Sequence, residues 1–394
     1  MFSDRVPREL AANRLTMAIE AQRRAGRRFV DLTESNPTRA GFDYPADLLA
    51  PLADPGSLVY APSPLGLASA RAAVAREYAR QGLDVDPDRI VITASTSDAY
   101  SMLFKLLADA GDEVLVPRPS YPLFEPLTRL DLVVTRPYEL DIHSGWAVDV
   151  ESVERAITPR TRVLLLVSPN NPTGSFVGAD ELDRLAGLCA RRGIAIVADE
   201  VFADYELEPG AARRAGRAAA RTDALAFALG GLSKSAGLPQ VKLGWMAVGG
   251  PDALAREAIE RLEHIADTYL AVSTPVQRAA STLIERGACV REQIVRRVAA
   301  NYAAITAAGD AVPSVRVLPS DGGWYVVLQV PSFDSEENLV LDLLATDEVL
   351  VHPGYFFDFP RESFVIVSLL PTPALFNAGT ERVLRHFACS AGPS

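Results

Sequence analysis

Between about Val91 and Val248 the chain alternates short apolar, β-branched runs with longer amphipathic stretches: RIVIT, SDAYSMLFKLLADAG, EVLVP, TRVLLLVSP, ADELDRLAGLCARRG, IAIVADE, ALAFALGG and LGWMAVGG. No other feature narrows the possible folds as much, because such alternation describes strands joined by helices. Runs such as VLLLV and IAIV are apolar at successive positions. They are predicted to be strands buried on both faces, as in a mostly parallel sheet covered by helices. After Pro251 the pattern changes to long helices, expected at about 252–270, 275–287 and 290–309, the last closing on a glycine. Strand-like VRVLP and GGWYVVLQV follow, then a helix at ENLVLDLLA, a strand FVIVSLL and a closing helix near GTERVLRHFAC, together a small α+β lobe. Residues 1–44 hold one helix and the short strand RFVDLT, too little for a core, and are expected to pack on that lobe. At 394 residues the chain exceeds what one core usually organises. The expected division is a large domain over 45–275 and a small domain made from 1–44 and 276–394.

Charge and cysteine usage then remove whole classes of function. The chain carries 39 Lys and Arg against 50 Asp and Glu, a net charge of −11, with only scattered RR pairs. That leaves no electrostatic footprint for nucleic acid or an anionic membrane surface. Cys189, Cys289 and Cys389 are far apart and odd in number, which argues against a disulfide framework or a structural zinc site and for a reduced cytoplasm. The N-terminal MFSDRVPRELAANRL is charged where a signal peptide would be apolar, and no stretch is apolar enough to span a bilayer.

Four loops at predicted strand ends hold the residue types that chemistry needs. LGGLSKSAGLP places Lys234 in an uncharged loop, where an amine loses its proton more readily and can act as an imine-forming nucleophile. IAIVADEVFADY puts Asp199 at the end of a buried strand, where a carboxylate wants a cationic partner. SPNNPTG offers the Asn171 amide, and ITASTSDAY gathers Ser95, Thr96 and Ser97 at a helix start suited to a phosphate. Each has a plainer role when taken alone: a solvated lysine, an acid capping a turn, an N-P turn, and a Ser/Thr N-cap with Asp98 favouring the dipole. Their meeting at the strand ends of one parallel sheet is what shifts the balance, since α/β proteins gather ligands there.

In order and spacing the sequence resembles the class I/II aminotransferases of pyridoxal-phosphate (PLP) fold type I, over nearly its whole length. NPTG at 171–174 is followed 28 residues later by Asp199, and Lys234 comes 35 residues after that. The resemblance implies an α/β fold whose large domain has a mostly parallel seven-stranded sheet, with a smaller α+β domain. It implies that Lys234 holds pyridoxal 5'-phosphate through an imine and shuttles a proton, and that Asp199 pairs with the pyridine nitrogen. Asn171 would hydrogen-bond the ring oxygen, and Tyr121 in RPSYPLF would stack on the ring, although it serves equally well as a core aromatic. Ser95, Thr96, Ser97 and Ser233 would surround the phosphate. Tyr60 in LVYAPSPLGL would reach the partner subunit's phosphate, which makes a homodimer the expected assembly.

Three positions depart from the family. Phe202 stands where a tyrosine usually meets the ring oxygen, and Lys242 stands where an arginine usually grips the phosphate. In the strand at ESFVIVSLL, registering on Ser368 puts Ile366 where the substrate-carboxylate arginine belongs. Asn36 in ESNPT, Arg361 in DFPRESF and, second to it, Arg39 are the candidates for substrate binding; a solvated surface arginine is the plain alternative for both cations. The expected activity is transfer of an amino group between a small amino compound and a 2-oxo acid, with a PLP-dependent lyase, oxidase or cyclising enzyme as the rival. A regulatory ligand-binding module lacks its basic helix-turn-helix here, and a nicotinamide-binding Rossmann enzyme lacks G-x-G-x-x-G. No metal is expected.

Overall fold

The computed structural model describes residues 2–8, 11–270, 272–331 and 334–390. Its main sheet is built from β2 (Ile90–Thr93), β3 (Glu113–Arg118), β4 (Val134–Asp141), β5 (Ala147–Val148), β6 (Thr161–Val167), β7 (Ala195–Asp199), β8 (Ala226–Gly231) and β9 (Gly244–Gly249), after a short β1 (Val30–Asp31). The order across it is β2-β9-β8-β7-β6-β3-β4-β5. Strands β4, β3, β6, β7 and β8 run parallel, while β9 lies antiparallel between β8 and β2 and β5 antiparallel on β4. The sheet therefore has eight strands where seven were expected. The extra one is the two-residue β5, which follows the turn at Gly145 and is too short to show any sequence periodicity.

The apolar runs are buried as their composition requires. All six residues of β8 and of β9 are buried, as are Leu164, Leu165 and Leu166 of β6. Each such leucine stabilises the fold by roughly 1.5–3 kcal/mol relative to exposure. One face packs on the helix Thr96–Leu107 and the helix Asp252–Tyr269, the other on Ala179–Arg192 and the small lobe.

The small lobe is a four-stranded antiparallel sheet, β10 (Arg316–Val317), β11 (Tyr325–Gln329), β13 (His352–Pro353) and β14 (Phe364–Ser368), in the order β10-β11-β14-β13. Separately, β1 pairs in parallel with β12 (Val349–Leu350), which ties the N-terminal segment to the C-terminal residues.

One helix corrects the sequence reading. The stretches expected at 275–287 and 290–309 form a single helix, Thr274–Gly309. Gly287 is not a stop: a Cβ there would come within 2.5 Å of Ala236 Cβ, so the glycine is a notch that lets this helix close on the loop after Lys234. A missing side chain for packing and a missing side chain for a helix end look alike in sequence.

Candidate active site

The C-terminal ends of the parallel strands deliver the chemistry. Asp199 is the last residue of β7, and its carboxylate accepts from the Tyr100 hydroxyl at 2.9 Å and from Val201 N–H at 3.2 Å. Burial outweighs both hydrogen bonds and the nearby Lys234 charge, and pushes its pKa up to about 6. Lys234 lies in the one-turn helix Leu232–Ser235 that follows β8. Desolvation holds its amine down at about 8, against the opposing pull of Asp199. Its Nζ sits 4.6 Å from the Trp324 ring centroid and 5.2 Å from that of Phe202, and those two rings pack edge to face at 5.3 Å. An amine so placed is half-deprotonated near pH 8, far below the range of an exposed lysine, with apolar walls beside it.

The remaining loops close around this pair. Ser95 is the N-cap of the helix Thr96–Leu107, its Oγ accepting from Asp98 N–H at 3.1 Å, while Asp98 accepts from Ala94 N–H at 3.0 Å. The capping role weighed against phosphate binding is therefore real, and it leaves the Thr96 and Ser97 N–H groups at the open helix end. A Cβ on Gly244 at the start of β9 would lie 2.9 Å from the Ser95 carbonyl carbon, so β9 approaches this loop backbone to backbone. Lys242, two residues earlier, is exposed at a left-handed backbone position, and Ser233 adjoins Lys234. Asn171 is buried after β6, and its Oδ1 has no hydrogen-bond partner. Tyr121 is 45% exposed, beside a cavity of about 670 Å³ that also touches Phe124, Arg129 and Tyr355. Phe202 is buried against Trp324, with no hydroxyl to offer.

The substrate candidates separate. Asn36 forms a tight turn, its Oδ1 accepting from Thr38 N–H and Oγ1 at 3.0 and 2.7 Å, and Arg39 N–H donates to its carbonyl. This turn is fastened to the end of β14 by the Ser368 hydroxyl donating to the Glu34 carbonyl at 2.6 Å. Ser368 pairs with Tyr325, next to Trp324 and hence to Lys234. Arg361 lies at the other end of the same sheet. Its neighbour Ser363 bonds Val330, six residues along from Trp324, which at about 3.4 Å per residue is on the order of 20 Å from the lysine end. No arginine side chain spans that, so Arg361 does not reach the Lys234 amine. Ile366 is fully buried, as are Phe364, Val365, Val367 and Ser368, and β14 presents no cation on either face. Tyr60 is 75% exposed.

Four supporting residues escaped the sequence reading. Tyr100 holds Asp199, Tyr205 donates to the Lys234 carbonyl, Arg291 Nη1 donates to the Ser235 carbonyl at 3.3 Å, and Tyr44 donates to the Gly237 carbonyl at 2.7 Å. Only Tyr100 and Tyr205 carried a sequence signal, Tyr100 being five residues past Ser95 in the same helix and Tyr205 six residues past Asp199. Arg291 and Tyr44 come from distant segments. Among the described residues no group of His, Cys, Asp and Glu is arranged to hold a metal, and no helix is long and apolar enough to cross a membrane.

A buried carboxylate and a desolvated lysine, set at the ends of neighbouring parallel strands beneath an amide and a Ser-capped helix, define the class: an enzyme of PLP fold type I. Comparison with known proteins agrees. Residues 31–376 match the family model described as aminotransferase class I and II. The chain is 30% identical over 355 residues to the glutamate-pyruvate aminotransferase AlaA of Escherichia coli K12, covering 87% of each. It is 28% identical over 368 residues to an alanine aminotransferase of Mycobacterium tuberculosis, covering 91% of this chain and 85% of that one. An alanine aminotransferase structure from Pyrococcus furiosus, 22% identical, shares the fold with a TM-score of 0.88 over 98% of this chain and 99% of its own. The chain belongs to the class I and II aminotransferases and is a transaminase acting between a small amino compound and a 2-oxo acid.

Proposed function

We propose that the protein uses pyridoxal 5'-phosphate, carried covalently by Lys234, to transfer the amino group of a short amino acid to a 2-oxo acid. The observation that carries this reading is the Lys234–Asp199 pair, with the amine brought down to about 8 and the acid buried without a dedicated cation. The cofactor fits what is there. A protonated pyridine nitrogen would supply the charge Asp199 lacks, and the orphaned Asn171 amide, turned about its own axis, would donate to the ring oxygen. When bound, the cofactor supplies an electron sink for the substrate Cα. The chain's own work is then to hold and move protons. Asp199 would keep a pyridine nitrogen protonated, and the Lys234 amine, once displaced by the incoming substrate amine, would hold and move the proton at the substrate Cα. Ser95, Thr96, Ser97, Ser233 and Lys242 would hold the phosphate, and Tyr121 would cover a ring face. Phe202 contributes an apolar wall where the family has a hydroxyl.

The relatives named for alanine and for glutamate and pyruvate support a short amino donor. With β14 devoid of cations and Arg361 remote, Arg39 on the Asn36 turn is the substitute we assign to the substrate carboxylate. We also propose a homodimer, supported by the exposure of Leu58 (90%), Val59 (65%) and Tyr60, with Tyr60 completing the partner's phosphate site. The two-domain division at 45–275 belongs to the same reading, with the helix Thr274–Gly309 crossing the boundary. A cytoplasmic location is supported by free Cys189 and Cys289; the Cys389 side chain lies outside the described residues.

The test is a half-reaction with PLP-loaded protein. Absorbance is followed while a panel of amino acids is added, and in parallel the protein is reduced with borohydride and the labelled peptide mapped. Label on Lys234 and conversion to the pyridoxamine form by alanine or glutamate are expected. Label elsewhere, or release of ammonia in place of amino transfer, would overturn the reading.

A further inference from the structure

A cleft of about 280 Å³ lies at the end of the small-lobe sheet away from Lys234, between it and the edge of the main sheet. Its walls are set by strand register. Arg316 on β10 pairs with Gln329 on β11, and Gln329 pairs with Phe364 on β14. Residues directly paired across antiparallel strands point to the same face, so Arg316, Gln329 and Phe364 form one row. Arg361 completes it, its guanidinium lying 5.8 Å from the Phe364 ring centroid. The facing wall comes from the main-sheet side, with Trp146 edge-on to Phe364 at 6.4 Å and His143 just before it.

The charge in this cleft is uncompensated. Neither Arg316 nor Arg361 forms an ion pair with a described residue, no Asp or Glu lines the cleft, and the protein as a whole carries −11. The nearby Asp141 is engaged by its own turn, accepting from His143 N–H and the Ser144 hydroxyl. Arg316 and Arg361 line the same cleft, one on β10 and the other just before β14, so an anion seated there would meet a cation from each side. Their planar forks suit paired oxygens, and the Gln329 amide between them adds a further donor.

We propose that this cleft is a binding site for a small dianion, a phosphate or a short dicarboxylate, clamped by Arg316 and Arg361 and bridging the small lobe to the His143–Trp146 edge of the main sheet. It is separate from the lysine site, and it stands whether or not the cofactor assignment above is right.

The experiment is calorimetric titration of PLP-loaded protein, so that the phosphate cradle near Ser95 is filled, with inorganic phosphate in one series and malonate in another. Both are repeated in the presence of a saturating amino donor, which removes binding at the catalytic centre. Saturable one-site binding that survives the donor is expected, weakened at least tenfold in the Arg316→Ala/Arg361→Ala double variant and in Arg316→Glu. Both arginines are exposed, and a circular dichroism spectrum checks that the variants remain folded. Binding of phosphate alone identifies an oxyanion site and binding of malonate alone a dicarboxylate site. Binding that is absent, unsaturable, abolished by the donor or unchanged in both folded variants overturns the proposal.

Discussion

Lys234 and Asp199 titrate in opposite directions for one physical reason. Burial penalises whichever form is charged, so the amine is pulled down to about 8 and the acid is pushed up to about 6. In the cofactor-free protein the Lys234 amine should therefore react with pyridoxal at a rate that rises through a pH near 8, well below the range of an exposed lysine. Because the Asp199 charge raises the Lys234 value, Asp199→Asn should move that midpoint to lower pH; an unchanged midpoint would show that the two groups are not coupled. Asp199 also leaves a mark on stability. Its pKa is 3.8 unfolded and about 6 folded, so the native state binds the extra proton between these values and the group's favourable contribution is lost as pH rises through 6. Melting temperatures of cofactor-free protein across pH 4 to 7 should reveal that loss, flattened in Asp199→Asn. The same variant should fold and bind cofactor yet lose most of its turnover, measurable in the half-reaction.

At the scale of elements, the helix that carries Lys234 is only four residues long and is held from outside. Tyr205 from the loop after β7 donates to the Lys234 carbonyl, Arg291 from the long helix to that of Ser235, and Tyr44 from the N-terminal segment to that of Gly237 just beyond the helix. Beneath it Arg291 pairs with Glu77 at 2.9 Å and lies 3.9 Å from Asp204, while Arg80 pairs with both acids. Glu77 and Arg291 are buried, and without Arg291 the Glu77 carboxylate keeps Arg80 as its partner. Arg291→Ala should cost about 1–3 kcal/mol in denaturant unfolding, from the hydrogen bonds to Glu77 and to the Ser235 carbonyl that it removes, since Arg80 still neutralises Glu77; a larger loss would show that Arg80 does not compensate. The Ser95 loop is a second such device. Ser95→Ala deletes an N-cap and should cost about 1 kcal/mol; under the proposed role it should also weaken cofactor binding by equilibrium dialysis, and unaltered affinity would confine Ser95 to capping.

At the scale of the molecule, the apolar Leu58–Tyr60 edge is open to solvent, an unfavourable surface for a monomer and a natural one for an interface. Sedimentation should give a dimer, and Tyr60→Ala should weaken phosphate-dependent cofactor binding; a fully active monomer would remove the shared site. The sequence by itself determined the parallel sheet, the helices that cover it and the loops bearing Ser95, Asn171, Asp199 and Lys234. Apolar strands advertise their burial, and residues at strand ends fall on one side of a parallel sheet whatever the rest of the chain does. It could not determine that Gly287 is a packing notch, that β5 exists, or that Tyr44 and Arg291 hold the lysine loop, since each depends on which distant segment arrives next to it. Nor could it place Arg361, five residues before Ile366 in the chain. Only the antiparallel register of β11 with β14 decides that Ser368 lies beside Trp324 and Lys234, while Arg361 runs off the opposite end of the sheet, because in an extended strand a few residues of sequence become many ångströms of separation.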